Sequence, residues 1–323
     1  MLNRRFLRIK VLQELYAYQQ SNESNLSVAE HRLLSDINKL YELFVWQLSF
    51  WVEVKRFAEM RIEENKHKHF PTQEDLNPNL RFVNNRILCI LDNNTHLLTL
   101  EEEYKINWAD HRDDFIRGFY NKLREFPEYA VYMSSENDSW ENDKNFLLTI
   151  IDNYMADNSS LFDFYADNSL FFNSDYQLAI FLLWKFINEL TTKFDINSKL
   201  PPVYKSIDAN DPESDKQFAL KLFIKTILHQ KEYEVTIGEN TSNWERERIA
   251  IMDMLILKMA LTEFYEFHSI PIKVTINEYI EISKYYSTPD SKRFINGLLD
   301  KMATKLKEDG SIVKTGRGLI DNR

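Results

Sequence analysis

Only six glycines and eight prolines occur in the 323 residues of this chain, and that scarcity constrains its fold more than any other feature. A fold of many short strands needs a turn every few residues, and Gly and Pro supply most of them. Long amphipathic stretches are what such a chain can build instead. The expected class is all-α. At this length it can form one large or two ordinary domains and bury one or two sizeable cores.

Hydrophobic spacing supports that reading along most of the chain. Residues 4–20 carry Ile9, Leu12 and Tyr16, with Val11 and Leu15 on a neighbouring stripe, the three- and four-residue spacing of a helix with one buried face. Arg4 and Arg8 fall on one side of it. Ser27 with Glu30 forms a capping-box pattern, which predicts a second helix from Ser27 to about Glu64 along Leu33, Ile37, Leu40, Tyr41, Phe44, Leu48 and Trp51. Residues 66–78 are polar, contain Pro71 and read as a loop.

Helical patterns resume over 80–105 (Ile87, Ile90, Leu91, Leu97, Leu98), 110–125 (Phe115, Phe119, Leu123), 139–156 (Trp140, Leu147, Ile151, Tyr154) and 174–194 (Tyr176, Ile180, Leu183, Phe186, Leu190). From 195 to 211 the composition shifts to Asn, Ser and Asp with Pro201 and Pro202, a connecting segment. Asp211 and Pro212 make a cap and first-turn proline for a helix burying Phe218, Leu222, Phe223 and Thr226. Ser242 with Glu245 predicts a helix carrying Arg248, Met252, Leu255, Met259 and Glu263, and Thr275 with Glu278 predicts another. Pro289 opens a last helix through Phe294, Leu298, Met302 and Leu306. The segment from Gly310 is expected to fray.

The net charge of −10 argues, taken alone, against a polyanionic partner. Its distribution argues otherwise. Residues 1–12 hold Arg4, Arg5, Arg8 and Lys10 with no acid; residues 13–240 hold 23 bases and 38 acids; residues 241–323 are nearly balanced, with 13 and 12. The acidity is confined to the middle, and the basic patch opens the chain. Several guanidinium groups at one helix end suit RNA, because each stays charged, grips phosphate bidentately and can stack on a base.

Recognisable enzyme chemistry is missing. There is no Gly-rich phosphate loop, no Gly-x-Ser-x-Gly elbow and no His-Glu-x-x-His site. His67 and His69 sit in a basic run that reads as a solvated loop. Pairs such as Glu101 with Glu103, or Asp113 with Asp114, arise by chance among fifty acidic residues. Trp46, Trp51, Trp184 and Phe186 lie at core spacing. The single cysteine, Cys89, stands in an apolar run as a small core hydrophobe, so neither a disulfide nor a cysteine metal cluster is available. No signal-peptide h-region and no run of about eighteen apolar residues occurs, so a cytoplasmic protein without a membrane partner is expected. No cofactor or metal site is expected.

The last part of the chain carries a more specific pattern. Ile270-Pro271-Ile272-Lys273-Val274-Thr275-Ile276-Asn277-Glu278 and Glu281-Ile282-Ser283-Lys284 are followed by Pro289-Asp290-Ser291-Lys292-Arg293-Phe294-Ile295-Asn296-Gly297-Leu298-Leu299-Asp300. With Ala260-Leu261-Thr262-Glu263-Phe264 before it, and Arg4-Arg5-x-x-Arg8 with Leu12-Gln13-Glu14-Leu15-Tyr16 at the start, this resembles the NusB family of transcription antitermination factors. The resemblance covers about residues 1–20 and 212–308. It implies a core of two packed three-helix bundles there, an additional acidic helical subdomain inserted over 21–211, and a flexible tail over 309–323.

The same resemblance implies a binding protein rather than an enzyme: boxA-type single-stranded RNA of ribosomal RNA transcripts, bound together with the ribosomal small-subunit protein NusE, within the transcription elongation complex. Arg4, Arg5, Arg8 and Lys10 then form the RNA edge with Lys292, Arg293 and Phe294, although Phe6 stands where the family has a third consecutive arginine. Asp253, Asp290 and Ser291 are the expected partner contacts. Phe294 is open to a core reading, and Asn296 with Gly297 to close helix packing. The alternatives are a helical adaptor without an RNA role, and the RNA-binding part of a ribosomal RNA-modifying enzyme, which no cofactor loop or catalytic cysteine motif supports.

Overall fold

The structure, a computed structural model, describes residues 3–21, 25–204, 214–241, 249–288 and 290–322, and all regular structure among them is helical. In chain order the α-helices are α1 (Arg4–Gln20), α2 (Leu26–Lys66), α3 (Gln73–Leu76), α4 (Arg86–Asp92), α5 (Thr95–Glu103), α6 (Arg117–Glu125), α7 (Pro127–Ser134), α8 (Trp140–Ile150), α9 (Ser159–Asn168) and α10 (Leu170–Glu189). They continue with α11 (Asp215–Leu228), α12 (Gln230–Asn240), α13 (Ile251–Glu266), α14 (Ile272–Tyr286) and α15 (Ser291–Glu308). No helix among the described residues is long and apolar enough to cross a membrane.

Side-chain caps explain where many helices start, and asparagine does much of this. Asn3 accepts from the backbone N–H groups of Arg5 and Phe6 and so opens α1. Asn25, not Ser27, caps α2: its Oδ1 accepts from Ser27 N at 3.0 Å, leaving Ser27 inside the first turn. Asn85 and Asn94 split the stretch 80–105 into α4 and α5, Asn85 accepting from Ile87 N and Leu88 N and Asn94 from Leu97 N. At α11, Ser214 accepts from Gln217 N. Thr275 caps nothing; it lies one turn inside α14, which begins after Pro271. The proposed caps at Asp211 with Pro212, Ser242 with Glu245, and Pro289 lie outside the described residues.

The chain divides into two compact units, one of residues 1–37 with 203–323 and one of residues 38–202, the first boundary falling within α2. In the first unit α13 is the hub. It packs against α1, α11, α14 and α15, and α12 lies against α11, α13 and α15. Every residue from Leu255 to Phe264 is buried, so α13 is enclosed all round rather than amphipathic. Its polar residues are paired: Lys258 donates to Glu234, and Thr262 bonds Thr226 across to α11.

The segment after Gly310 does not hang free. Ile312 N donates to Leu306 O, Thr315 N to His268 O, and Lys314 Nζ to the carbonyls of Glu263 and Phe267. Gly318 passes so close to this turn that a Cβ would meet His268 O at 2.1 Å. The small residues that suggested fraying permit this close approach instead.

The second unit is built on the part of α2 after Ile37, whose Phe44, Phe50, Trp51 and Phe57 are fully buried. Aromatic rings dominate around it: Phe50 meets Trp108, Phe115 and Phe119, and Phe57 meets Tyr120. Trp46 and Phe186 are core, as the spacing implied, while Trp184 is half-exposed and donates to Asp152. Cys89 is also half-buried, its thiol donating to Val83 O and pushed up in pKa by burial. His67 and His69 are exposed.

Candidate nucleic-acid interface

The basic start of the chain divides into buried and accessible members. Arg8 is only 3% exposed and is gripped by Glu263 of α13, which is fully buried: Nε donates to Oε1 at 2.5 Å and Nη2 to Oε2 at 2.8 Å. Glu263 also accepts from Tyr279 Oη at 2.8 Å and Thr275 Oγ1 at 3.2 Å. The guanidinium lies 5.2 Å from the Phe218 ring centre and 5.8 Å from that of Tyr279. Burial alone would lower the pKa of Arg8, but the attraction and hydrogen bonds of Glu263 outweigh it, so the group stays charged.

Arg8 is therefore a structural clamp joining α1, α13 and α14, not a phosphate contact. Lys10 is equally buried. Both depart from the exposed edge expected of them, because two of the four basic positions fall on the inward face of α1.

Arg4 and Arg5 remain accessible. Arg4 is 3.5 Å from Asp215 and lies 4.9 Å from the Phe218 ring centre. Arg5 makes a two-pronged bond to Glu278, Nε to Oε2 at 2.9 Å and Nη2 to Oε1 at 2.8 Å, which raises its pKa. Together they border a cleft of about 480 Å³ whose walls come from α1, the 269–271 turn, α14 and the C-terminal segment, with Pro271, Val274, Arg317 and Ile320 among its lining. Apolar surface next to cationic groups suits single-stranded nucleic acid, whose phosphates seek charge and whose bases seek contact.

Arg5 of α1 and Lys292 of α15 both act on the charge of Glu281 in α14. Glu281 of α14 is held below the usual carboxylate range first by the hydrogen bond from Lys284, and further by the charges of Lys284, Arg5 and Lys292. Lys292 and Arg293 are exposed, and Phe294 is half-buried between the core and the solvent readings. Lys284 and Tyr285, the latter 81% exposed, present a base and an aromatic ring near the end of α14. Tyr285 was not singled out in sequence, since a Lys-Tyr-Tyr run has no special spacing, and Lys284 was named there only as part of the family-like pattern.

The expected partner residues are mostly internal. Asp253 is 5% exposed and accepts hydroxyl bonds from Ser287 and from Ser291, the latter at 2.7 Å, so it fastens the start of α13 to the α14–α15 turn. Ser291 is buried with it, and only Asp290 of the three is exposed. Asn296 and Gly297 are exposed too, and nothing lies within 4 Å of a Cβ built on Gly297. Close helix packing does not explain that glycine.

Comparison with known proteins decides the family. Residues 178–304 match the model of the NusB family. The transcription antitermination protein NusB of Salinibacter ruber is 41% identical over 114 residues, which are 35% of this chain and 71% of that protein. The chain belongs to the NusB family. The NusB of Desulforamulus reducens is 35% identical over 99 residues, 31% of this chain and 69% of that protein. The NusB of Chloroherpeton thalassium is 37% identical over 126 residues, 38% of this chain, which spans only 60% of that relative. No solved structure matches the chain. The NusB match begins within α10 of the second unit and ends within α15, so it leaves out α1 and the C-terminal segment that wall the cleft.

Proposed function

We propose that the chain is a transcription antitermination factor that binds boxA-type single-stranded RNA of ribosomal RNA transcripts through the face formed by Arg4, Arg5, Lys292, Arg293 and Phe294, together with the ribosomal protein NusE. The observation that carries the reading is the cleft beside Arg4 and Arg5. Accessible guanidinium groups and the exposed side chains of Val274 and Ile320 border one concave surface in a chain whose net charge is −10. Family membership supplies the class of process, since the similar proteins carry the name transcription antitermination protein.

The acidic middle of the chain takes no RNA contact in this reading, because like charge repels phosphate over about 8 Å at physiological salt. NusE, as a basic ribosomal protein, is assigned to acidic exposed surface that includes Asp290. The test is fluorescence anisotropy of the full chain with a labelled boxA-type RNA, with and without the NusE of the same organism. Binding that NusE strengthens is the expected result. Absence of RNA binding under both conditions, at low salt, would overturn the proposal.

A further inference from the structure

The C-terminal segment lies beyond the matched NusB residues, yet it forms part of the cleft wall through Arg317 and Ile320. Its position is fixed by several independent contacts. Thr315 N bonds His268 O, Lys314 spans two carbonyls at the end of α13, and Gly318 sits where any side chain would strike His268 O. These contacts hold the residues on both sides of Arg317. An arm tied down at such short intervals delivers its side chains to a defined place.

Among the arginines lining the cleft, Arg317 stands apart. Arg4 is near Asp215, Arg5 is held by Glu278, and Arg8 is committed to Glu263. Arg317 is exposed and forms no ion pair with a described residue. A phosphate approaching Arg5 must compete with a carboxylate already bonded in two places. A phosphate approaching Arg317 displaces only water, so the same charge-assisted bond forms with less to offset it.

We propose that the segment 311–322 is an RNA-binding arm and that Arg317 is its phosphate-binding residue, in the cleft that Arg4 and Arg5 also line, with Ile320 supplying apolar surface for a base. This rests on the reading of the cleft as an RNA site. Gly318 serves the arm by position, without touching RNA: it lets the chain pass His268 and so sets where Arg317 stands.

The test uses the full chain and a labelled single-stranded boxA-type RNA, with affinity measured from 50 to 200 mM salt and thermal melting run alongside. Arg317→Ala is expected to weaken binding about three- to tenfold and to reduce the log–log salt slope by about 0.7, the value for one lost contact to a single strand. Arg317→Lys should recover part of the loss. Gly318→Ala, which changes no charge, should weaken binding in the same direction by moving the arm. Unchanged affinity and slope for Arg317→Ala, while Arg4→Glu/Arg5→Glu still weakens binding, would overturn the arm and leave the cleft reading intact. Tighter binding by Arg317→Ala would mean that the segment obstructs the cleft, and would also overturn it. Failure of the unaltered chain to bind RNA would remove both proposals.

Discussion

Replacing Arg8 by Ala should damage the fold far more than RNA binding, although Arg8 belongs to the basic run that first suggested an RNA edge. Its removal leaves Glu263 fully buried, with Tyr279 and Thr275 the remaining donors, among the described residues, to a carboxylate that had two guanidinium bonds. Breaking one side of a buried pair costs about 3–5 kcal/mol. A further loss comes from the guanidinium packing against Phe218 and Tyr279. For a unit of this size each kcal/mol lowers Tm by about 2–4 °C, so a fall of at least about 6 °C is expected. The double variant Arg8→Ala/Glu263→Gln should regain part of the loss, since it removes the stranded charge. Urea denaturation monitored by circular dichroism, with the four chains of the double-mutant cycle, measures both effects. A cost below about 1 kcal/mol for Arg8→Ala, near that of an exposed pair, would refute the buried clamp.

Asp253→Ala should cost about 1–3 kcal/mol of stability, because two hydroxyls of the α14–α15 turn lose their shared acceptor; a variant of normal stability that fails only in partner binding would contradict this. Gly297→Ala should stabilise the protein by about 0.5–1 kcal/mol, since α15 has room for the methyl group and gains helix propensity, and a lower urea midpoint would show the room to be absent. Alkaline pH should unfold the protein. Burial pushes the hydroxyls of Tyr165 and Tyr279 well above the ordinary value near 10 and that of Tyr233 to about 12. A raised folded-state value favours the neutral phenol, so its stabilising contribution is complete below about pH 10 and is lost as pH rises through the folded values. A denaturation midpoint unchanged between pH 9 and 12 would be inconsistent with these burials.

The helical class and most of the core were legible because they depend on local regularities. Turn formers are scarce, and the stripes on α1, α2 and α11 repeat at helical spacing. The helix breaks at Asn85 and Asn94 were not legible, since asparagine is common on loops and surfaces and shows its capping role only once its carbonyl meets specific backbone donors. Arg8 was misread for a related reason. Its partner Glu263 lies 255 positions away, and a basic run near a chain start resembles a solvated patch until the fold encloses it. Asp253 reads as a surface acid for the same cause. Arg317 lay in a segment whose small residues suggested fraying, whereas Gly318 records close contact with His268, a long-range fact.

In the proposed interface the accessible pair Arg4 and Arg5 contacts RNA phosphate while Arg8 holds the fold. RNA affinity of the unaltered chain and of Arg4→Glu/Arg5→Glu, with Arg8 retained, measured against salt from 50 to 200 mM, tests it most directly. The variant is expected to bind at least about tenfold more weakly, with a salt slope shallower by about 1.4 for two lost contacts and a Tm changed by only a few degrees. Equal affinity and equal slope in a folded variant would contradict it.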